Sequence, residues 1–315
     1  MNIVFLDSTA IPKHIPISRP SFPHNWVEYE YTSAKQTIER AKDADIIITS
    51  KVILSREVLQ QLPKLKLIAL TATGTNNVDL DAAKELGVTV KNVTGYSVTT
   101  VPEHVLGMIF ALKHSLAGWQ RDQITGKWTE SKQFCYFDYP ITDVKGSTLG
   151  VFGKGCLGTE VGRLANAVGM KVLYAEHKDA TVCREGYTPF DEVLKQADIV
   201  TLHCPLTETT KNLMNAEALS KMKKGAFLIN TGRGPLIDEL ALVDALKTGH
   251  LGGAALDVMV KEPPEKDNPL ILAAKTIHNL IITHHIAWES DSAVTTLTKK
   301  VAQNIEDFVQ QLNQK

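Results

Sequence analysis

Apolar residues in this chain come in short runs, separated by stretches with helical period. In the first half, residues 2–6, 26–31, 45–50, 65–70 and 88–90 read as strands. Between them, Ser33-x-x-Gln36 has the form of a capping box and opens a helix to about residue 44. A short helix follows at about 56–62, and another at 79–87 stops at Gly87. Residues 12–23 are broken by prolines and read as irregular. The alternation restarts after residue 147, with strands at 149–152, 170–175, 198–203, 226–230, 252–257 and 280–284. Helices are expected near 191–197, 215–222 and 238–248. Strands alternating with helices predict an α/β chain of two doubly wound parallel-sheet domains. The last stretch carries one stripe, Val301, Ile305, Phe308, Val309 and Leu312. It is expected to pack back on the first domain, giving a discontinuous domain of residues 1–100 and 288–315 around a second of 101–287.

The join between the halves has its own pattern. Thr100-x-x-Glu103 is a second capping-box form, with Pro102 in the first turn. The helix beyond it carries Val105, Leu106, Met108, Ile109, Phe110, Leu112 and Leu116, apolar nearly all the way round. Such a helix must be buried on all sides. Residues 120–146 read as an irregular arm holding Trp128, Phe134, Tyr136, Phe137 and Tyr139, just after Trp119. Aromatics in a polar loop need a cover, so residues 101–146 are expected to form a homodimer interface.

Composition narrows the class. The chain has 315 residues, a formal charge of −1 and a hydrophobic fraction of 43%. That length favours two domains, and the near-neutral charge gives no footprint for nucleic acid or an acidic membrane. The four cysteines, Cys135, Cys156, Cys183 and Cys204, show no C-x-x-C spacing. They read as reduced thiols, and no metal site is expected. The N-terminus enters a strand without a signal-peptide pattern, and no apolar run is long enough to span a bilayer. A cytoplasmic protein is expected.

The strongest chemical signal follows the strand at 149–152. Gly153-x-Gly155-x-x-Gly158, with Lys154, Cys156 and Leu157 between the glycines, stands between that strand and a helix patterned on Leu157, Val161, Leu164, Ala165 and Val168. In this context it is the dinucleotide fingerprint, with each glycine serving a tight turn or a close approach. The second domain is therefore expected to be a Rossmann-type dinucleotide-binding domain. Glu176 ends the next strand, where an acid is placed to accept a ribose hydroxyl, which favours NAD over NADP.

In open α/β sheets ligands bind beyond the carboxyl ends of strands, and here those ends are polar. The loop Thr73-Gly74-Thr75-Asn76 can form an anion nest from its amides. Further strands lead into His203-Cys204-Pro205, Asn230-Thr231-Gly232-Arg233-Gly234, Asp257 with Glu262-Pro-Pro, and His284-His285-Ile286-Ala287-Trp288.

With these motifs in this order, the sequence resembles the D-isomer-specific 2-hydroxyacid dehydrogenases over essentially its full length, most of all the glycerate dehydrogenase (hydroxypyruvate reductase) branch. It departs at His284, where the family usually has proline, and Ile286-Ala287 sets the register on His285. The resemblance implies reduction of a small 2-keto acid with NAD as cofactor. It implies His285 as acid/base, a residue type that titrates near neutrality, with Glu262 orienting its imidazole. Arg233 would hold the substrate carboxylate and polarise the keto oxygen, and Thr73, Gly74, Thr75 and Asn76 would add backbone donors. Cofactor contacts are implied at Gly153 to Gly158, Glu176, His203, Pro205, Thr231 and Gly232, and at Asp257 toward the nicotinamide carboxamide. The expected substrate is hydroxypyruvate or glyoxylate. D-lactate-type dehydrogenases and a dinucleotide-sensing, corepressor-like binding protein stand as alternatives.

Overall fold

Residues 1–314 are described in this computed structural model. Among them, eleven strands pair into two sheets, and every pair is parallel. The chain divides into two compact units, Met1–Ser97 with Glu289–Lys315, and Val98–Trp288.

In the first unit, β1 (Asn2–Phe5), β2 (Asn25–Glu28), β3 (Ile46–Thr49), β4 (Leu67–Leu70) and β5 (Thr89–Lys91) lie in the order β2-β1-β3-β4-β5. β3 and β4 are buried at every position, as their continuous apolar runs require in a sheet covered on both faces. Alternate residues serve opposite faces. Val4, Ile47, Ile68 and Leu70 share one core with Ala41, Leu59 and Ala82, while Ile3, Phe5, Ile46, Ile48 and Leu67 are buried at the intervening positions. The helix Asp291–Asn313 packs against β4 and buries Val294, Leu297, Val301 and Ile305.

The second unit holds β6 (Thr148–Phe152), β7 (Lys171–Ala175), β8 (Ile199–Leu202), β9 (Phe227–Asn230), β10 (Gly253–Leu256) and β11 (Leu280–Ile282). Their order is β11-β10-β9-β8-β6-β7. The two faces again have separate cores. Phe152, Val200, Leu202, Leu228 and Leu256 pack with Phe190, Val193 and Leu219. Leu149, Val151, Ile199, Ile229 and Ala255 pack with Val105, Met108, Ile109 and Val161. The strand order reverses between β6 and β8, which makes the crevice beyond their carboxyl ends the natural dinucleotide site. No helix among the described residues is long and apolar enough to cross a membrane.

Several local expectations are corrected. The helix after Ser33 runs only Thr37–Ala41, and ahead of it the Gln36 side chain accepts from the Ser33 amide and hydroxyl. Thr100 is not a cap. It is the first residue of the helix Thr100–Lys113, and its hydroxyl donates to the Ala287 carbonyl. Within one chain that helix turns Val105, Met108, Ile109 and Leu112 to a core and leaves Phe110 exposed. The arm is not irregular throughout. It contains helices Leu116–Ile124 and Lys127–Ser131. The buried Asp122 carboxylate accepts from the hydroxyls of Tyr136 and Tyr139 and pairs with Lys127. Trp119 packs edge-on against both tyrosine rings. The arm thus covers three of its own aromatics and leaves Trp128, Phe134 and Phe137 exposed. A short helix at Pro269–Ala273, capped by Asn268, has too few residues to show a period.

Ile305 is fully buried on the C-terminal helix. Ile305→Ala is expected to destabilise the first unit by about 2–5 kcal/mol, read as a lower urea midpoint for the full chain.

Candidate active site

The glycines after β6 are held by close contacts. Gly153 has φ +106°, and a Cβ on it would lie 2.6 Å from the backbone of His203 and Cys204. A Cβ on Gly158 would lie 1.9 Å from the Gly153 carbonyl oxygen. Gly155 differs: a Cβ there would meet nothing within 4 Å. The turn therefore packs tightly on both sides and leaves open space at the middle glycine, where the helix Cys156–Ala167 begins. Open space at a helix N-terminus suits a pyrophosphate. The Thr231 hydroxyl is buried without a hydrogen-bond partner among the described residues, a second polar group available to a ligand. The residues present thus fit a dinucleotide, with Gly153 to Gly158 and Thr231 as the groups that would hold it. Within this loop, Cys156 is exposed and Leu157 half-buried. The Lys154 ammonium lies over the rings of Tyr174 and Tyr187.

His203, just past β8, shares a hydrogen bond with the Thr201 hydroxyl at 2.9 Å. Burial pushes its pKa down to about 4, so the ring is neutral near pH 7. The Pro205 carbonyl accepts from the Thr210 hydroxyl.

Glu176 does not present a free carboxylate to a ribose. Its side chain is 3% exposed. It accepts from the His177 amide at 2.9 Å and from Arg184 through the amide at 3.0 Å, Nε at 2.8 Å and Nη2 at 2.6 Å. The Arg184 guanidinium beside it holds the carboxyl down to about 2. Four donors occupy a group with about four acceptor positions. Arg184 was missed in the sequence because its loop carries no periodic or motif signal.

The loops after β9, β10 and β11 carry the titratable constellation. Asn230 is fully buried at the end of β9. Its side-chain oxygen accepts from the Gly232 amide and its nitrogen donates to the Arg233 carbonyl, so one amide group shapes the Thr-Gly-Arg turn. Arg233 follows in extended conformation, half-buried, with Nη1 donating to the Gly232 carbonyl. Gly234 lies against the loop after β10: a Cβ on it would be 2.0 Å from the Met259 carbonyl carbon. That loop returns Glu262, whose Oε1 accepts from the Met259 amide and whose Oε2 lies 2.7 Å from Nδ1 of His285. His284 is exposed, so it is the second histidine of the pair that meets the acid.

Asp257, directly after β10, is built into the turn that carries His285. It is 1% exposed. Its carboxylate accepts from the amides of Ile286 and Ala287, both at 2.9 Å, and from the Thr283 hydroxyl. Its carbonyl accepts from the His285 amide at 2.7 Å. Those bonds hold His285 at φ +58°, a left-handed conformation unusual for a side-chain-bearing residue. Three donors of this turn thus reach the carboxylate, two on one oxygen and one on the other. Trp288 adds an indole hydrogen bond to the His285 carbonyl.

Thr73, Gly74, Thr75 and Asn76 lie in the first unit, past β4. The Thr73 hydroxyl donates to the Val93 carbonyl, and the Thr73 carbonyl accepts from Asn92. Among the described residues, the four backbone amides have no intrachain acceptor, which leaves them available to an anion.

In chemical terms, the second unit offers a dinucleotide cradle beyond β6, a guanidinium beyond β9 and a carboxylate-oriented imidazole beyond β11. The family model described as D-isomer specific 2-hydroxyacid dehydrogenase, NAD binding domain, matches residues 106–287. The chain is 87% identical over 315 residues to a Haemophilus influenzae protein named as a 2-hydroxyacid dehydrogenase, with 100% of both chains covered. It is 46% identical over 308 residues to glycerate dehydrogenase of Methylorubrum extorquens, covering 98% of this chain and 96% of that one. Among solved structures, D-lactate dehydrogenase of Aquifex aeolicus, complexed with NAD and lactic acid, matches with a TM-score of 0.80 at 29% identity. That match covers 98% of this chain and 96% of the other.

The neutral burial of His203 gives a pH prediction. Its pKa is depressed from 6.5 to about 4 in the folded chain, so the unfolded chain binds the extra proton first as the pH falls. Its contribution to stability is complete above about pH 6.5 and is lost as the pH falls toward 4. The melting temperature of His203→Gln should therefore fall less steeply than that of the wild type across this window.

Proposed function

The chain belongs to the D-isomer-specific 2-hydroxyacid dehydrogenases, NAD-binding oxidoreductases, and on that premise we propose that it reduces hydroxypyruvate or glyoxylate to D-glycerate or glycolate. The observation that carries this reading is the 2.7 Å pair between Nδ1 of His285 and Glu262. A bound nicotinamide supplies the hydride that reduces the keto carbon. His285 supplies the proton. With Nδ1 engaged by Glu262, Nε2 is the nitrogen left for substrate, and the imidazolium donates it to the oxygen that becomes the hydroxyl. Glu262 keeps the ring oriented before and after transfer. Arg233 provides a planar fork for the substrate carboxylate and polarises the keto oxygen. The amides of Thr73 to Asn76, in the first unit, are proposed as donors to a small carboxylate. The relative named glycerate dehydrogenase supports a hydroxypyruvate-sized substrate.

A homodimer is part of the proposal. Phe110 and Leu116 are exposed at the end of one helix and the start of the next, and Trp128, Phe134 and Phe137 are exposed on the arm. Uncovered apolar surface of this kind suits a second copy of the chain.

Pure protein with hydroxypyruvate and NADH is expected to oxidise the cofactor at a readily measured initial rate. His285→Ala should lower kcat by about 10²–10⁴. Wild-type turnover in that variant, or no wild-type turnover with hydroxypyruvate and glyoxylate, would overturn the reading. In sedimentation velocity the wild type is expected to run as a dimer and Phe110→Asp as a monomer.

A further inference from the structure

An acid at the end of the second strand of a dinucleotide-binding sheet ordinarily selects the unphosphorylated cofactor. Its free carboxylate accepts from the ribose hydroxyls and repels a 2′-phosphate. That logic requires a carboxylate with acceptor positions to offer. Glu176 has been closed off by Arg184. Three of the four donors on its carboxylate belong to that one residue, and one of them is the Arg184 backbone amide. The arginine is therefore attached through main chain and side chain together, and loop geometry as well as charge keeps it there.

The guanidinium has a second constraint. Its central carbon lies 4.1 Å from the Tyr187 ring centroid, and the side chain is still 54% exposed. Nε and Nη2 take Glu176 side-on, and Nη1 has no hydrogen-bond partner among the described residues. A side-on pair leaves the Nη1–Nη2 edge available, and that edge can hold phosphate oxygens in a fork. The cleft of about 500 Å³ between the glycine turn and this loop is lined by Lys154, Lys178 and Arg184 against Glu176 and Asp179. The acid that would repel a phosphate is the buried member of this group.

We infer that Arg184 converts the ribose end of the cofactor cleft into a 2′-phosphate acceptor, so that the protein binds NADP as well as NAD and Arg184 sets the ratio. Glu176 becomes the positioning residue: it holds the guanidinium in place. The inference depends on the dinucleotide site and is independent of the substrate proposed above.

The test is isothermal titration of the full-length protein with NADP⁺ and NAD⁺, with no substrate present, at low and high KCl. The wild type is expected to bind the two with dissociation constants within about tenfold of each other, a difference of 1.4 kcal/mol or less. NADP⁺ affinity should fall more steeply with salt, as an ion-pair contact requires. Arg184→Ala should weaken NADP⁺ by about tenfold or more and leave NAD⁺ unchanged or tighter, because Glu176 is then free for the ribose hydroxyls. Arg184→Lys should fall between. A wild-type preference for NAD⁺ beyond tenfold would overturn the inference. So would an unchanged NADP⁺ to NAD⁺ ratio in a folded Arg184→Ala protein. If that variant fails to fold, equal salt dependence of the two cofactors in the wild type has the same force.

Discussion

Every strand of the six-stranded sheet runs in the same direction, and that single constraint organises the chemistry. Parallel pairing requires each connection to cross back over the sheet, so all carboxyl ends collect at one edge. The fingerprint glycines, the Asn230 turn, the Glu262 loop and the His285 turn each leave that edge from a different strand. None of them is near another in sequence. The His285–Glu262 contact joins residues separated by 23 positions because β10 and β11 are neighbours in register.

At this edge, buried polar side chains set the shape of the loops. Asn230, Asp257 and Glu176 are all nearly inaccessible, and each receives backbone amides. A buried carboxylate or amide without partners is costly, so the loops fold to satisfy them. Asp257 is the clearest case. Its hydrogen bonds offset the strain of a left-handed His285, a cost of roughly 1–3 kcal/mol, and so present the imidazole from a fixed backbone. The same physics removes Glu176 from direct service to a ligand, because its acceptor positions are already filled.

The arm shows how burial and exposure can be divided within one aromatic segment. Asp122 collects two tyrosine hydroxyls and a lysine, which anchors Tyr136 and Tyr139 on Trp119. Once those rings are used internally, the remaining ones form an outward apolar surface. Hydrophobic content alone does not separate the two groups, since the distinction rests on which rings carry a hydroxyl within reach of Asp122.

What the sequence determined by itself was the class of fold and the places to look. Apolar runs without alternation read correctly as strands buried on both faces, because local burial is a property of the run itself. The glycine fingerprint was legible because its geometry is local to one turn. Short elements such as Pro269–Ala273 and the arm helices were not, since a few residues carry no period and their stability comes from packing. Tertiary structure decided the rest. That Glu176 meets Arg184, that Asp257 holds the His285 turn, and that Thr100 serves a distant carbonyl instead of a cap all depend on which loops the sheet brings side by side. Hydrogen-bond partners far apart in sequence leave no mark on composition or spacing. A polar residue's role is set by the donors that reach it first, and only the folded chain fixes those.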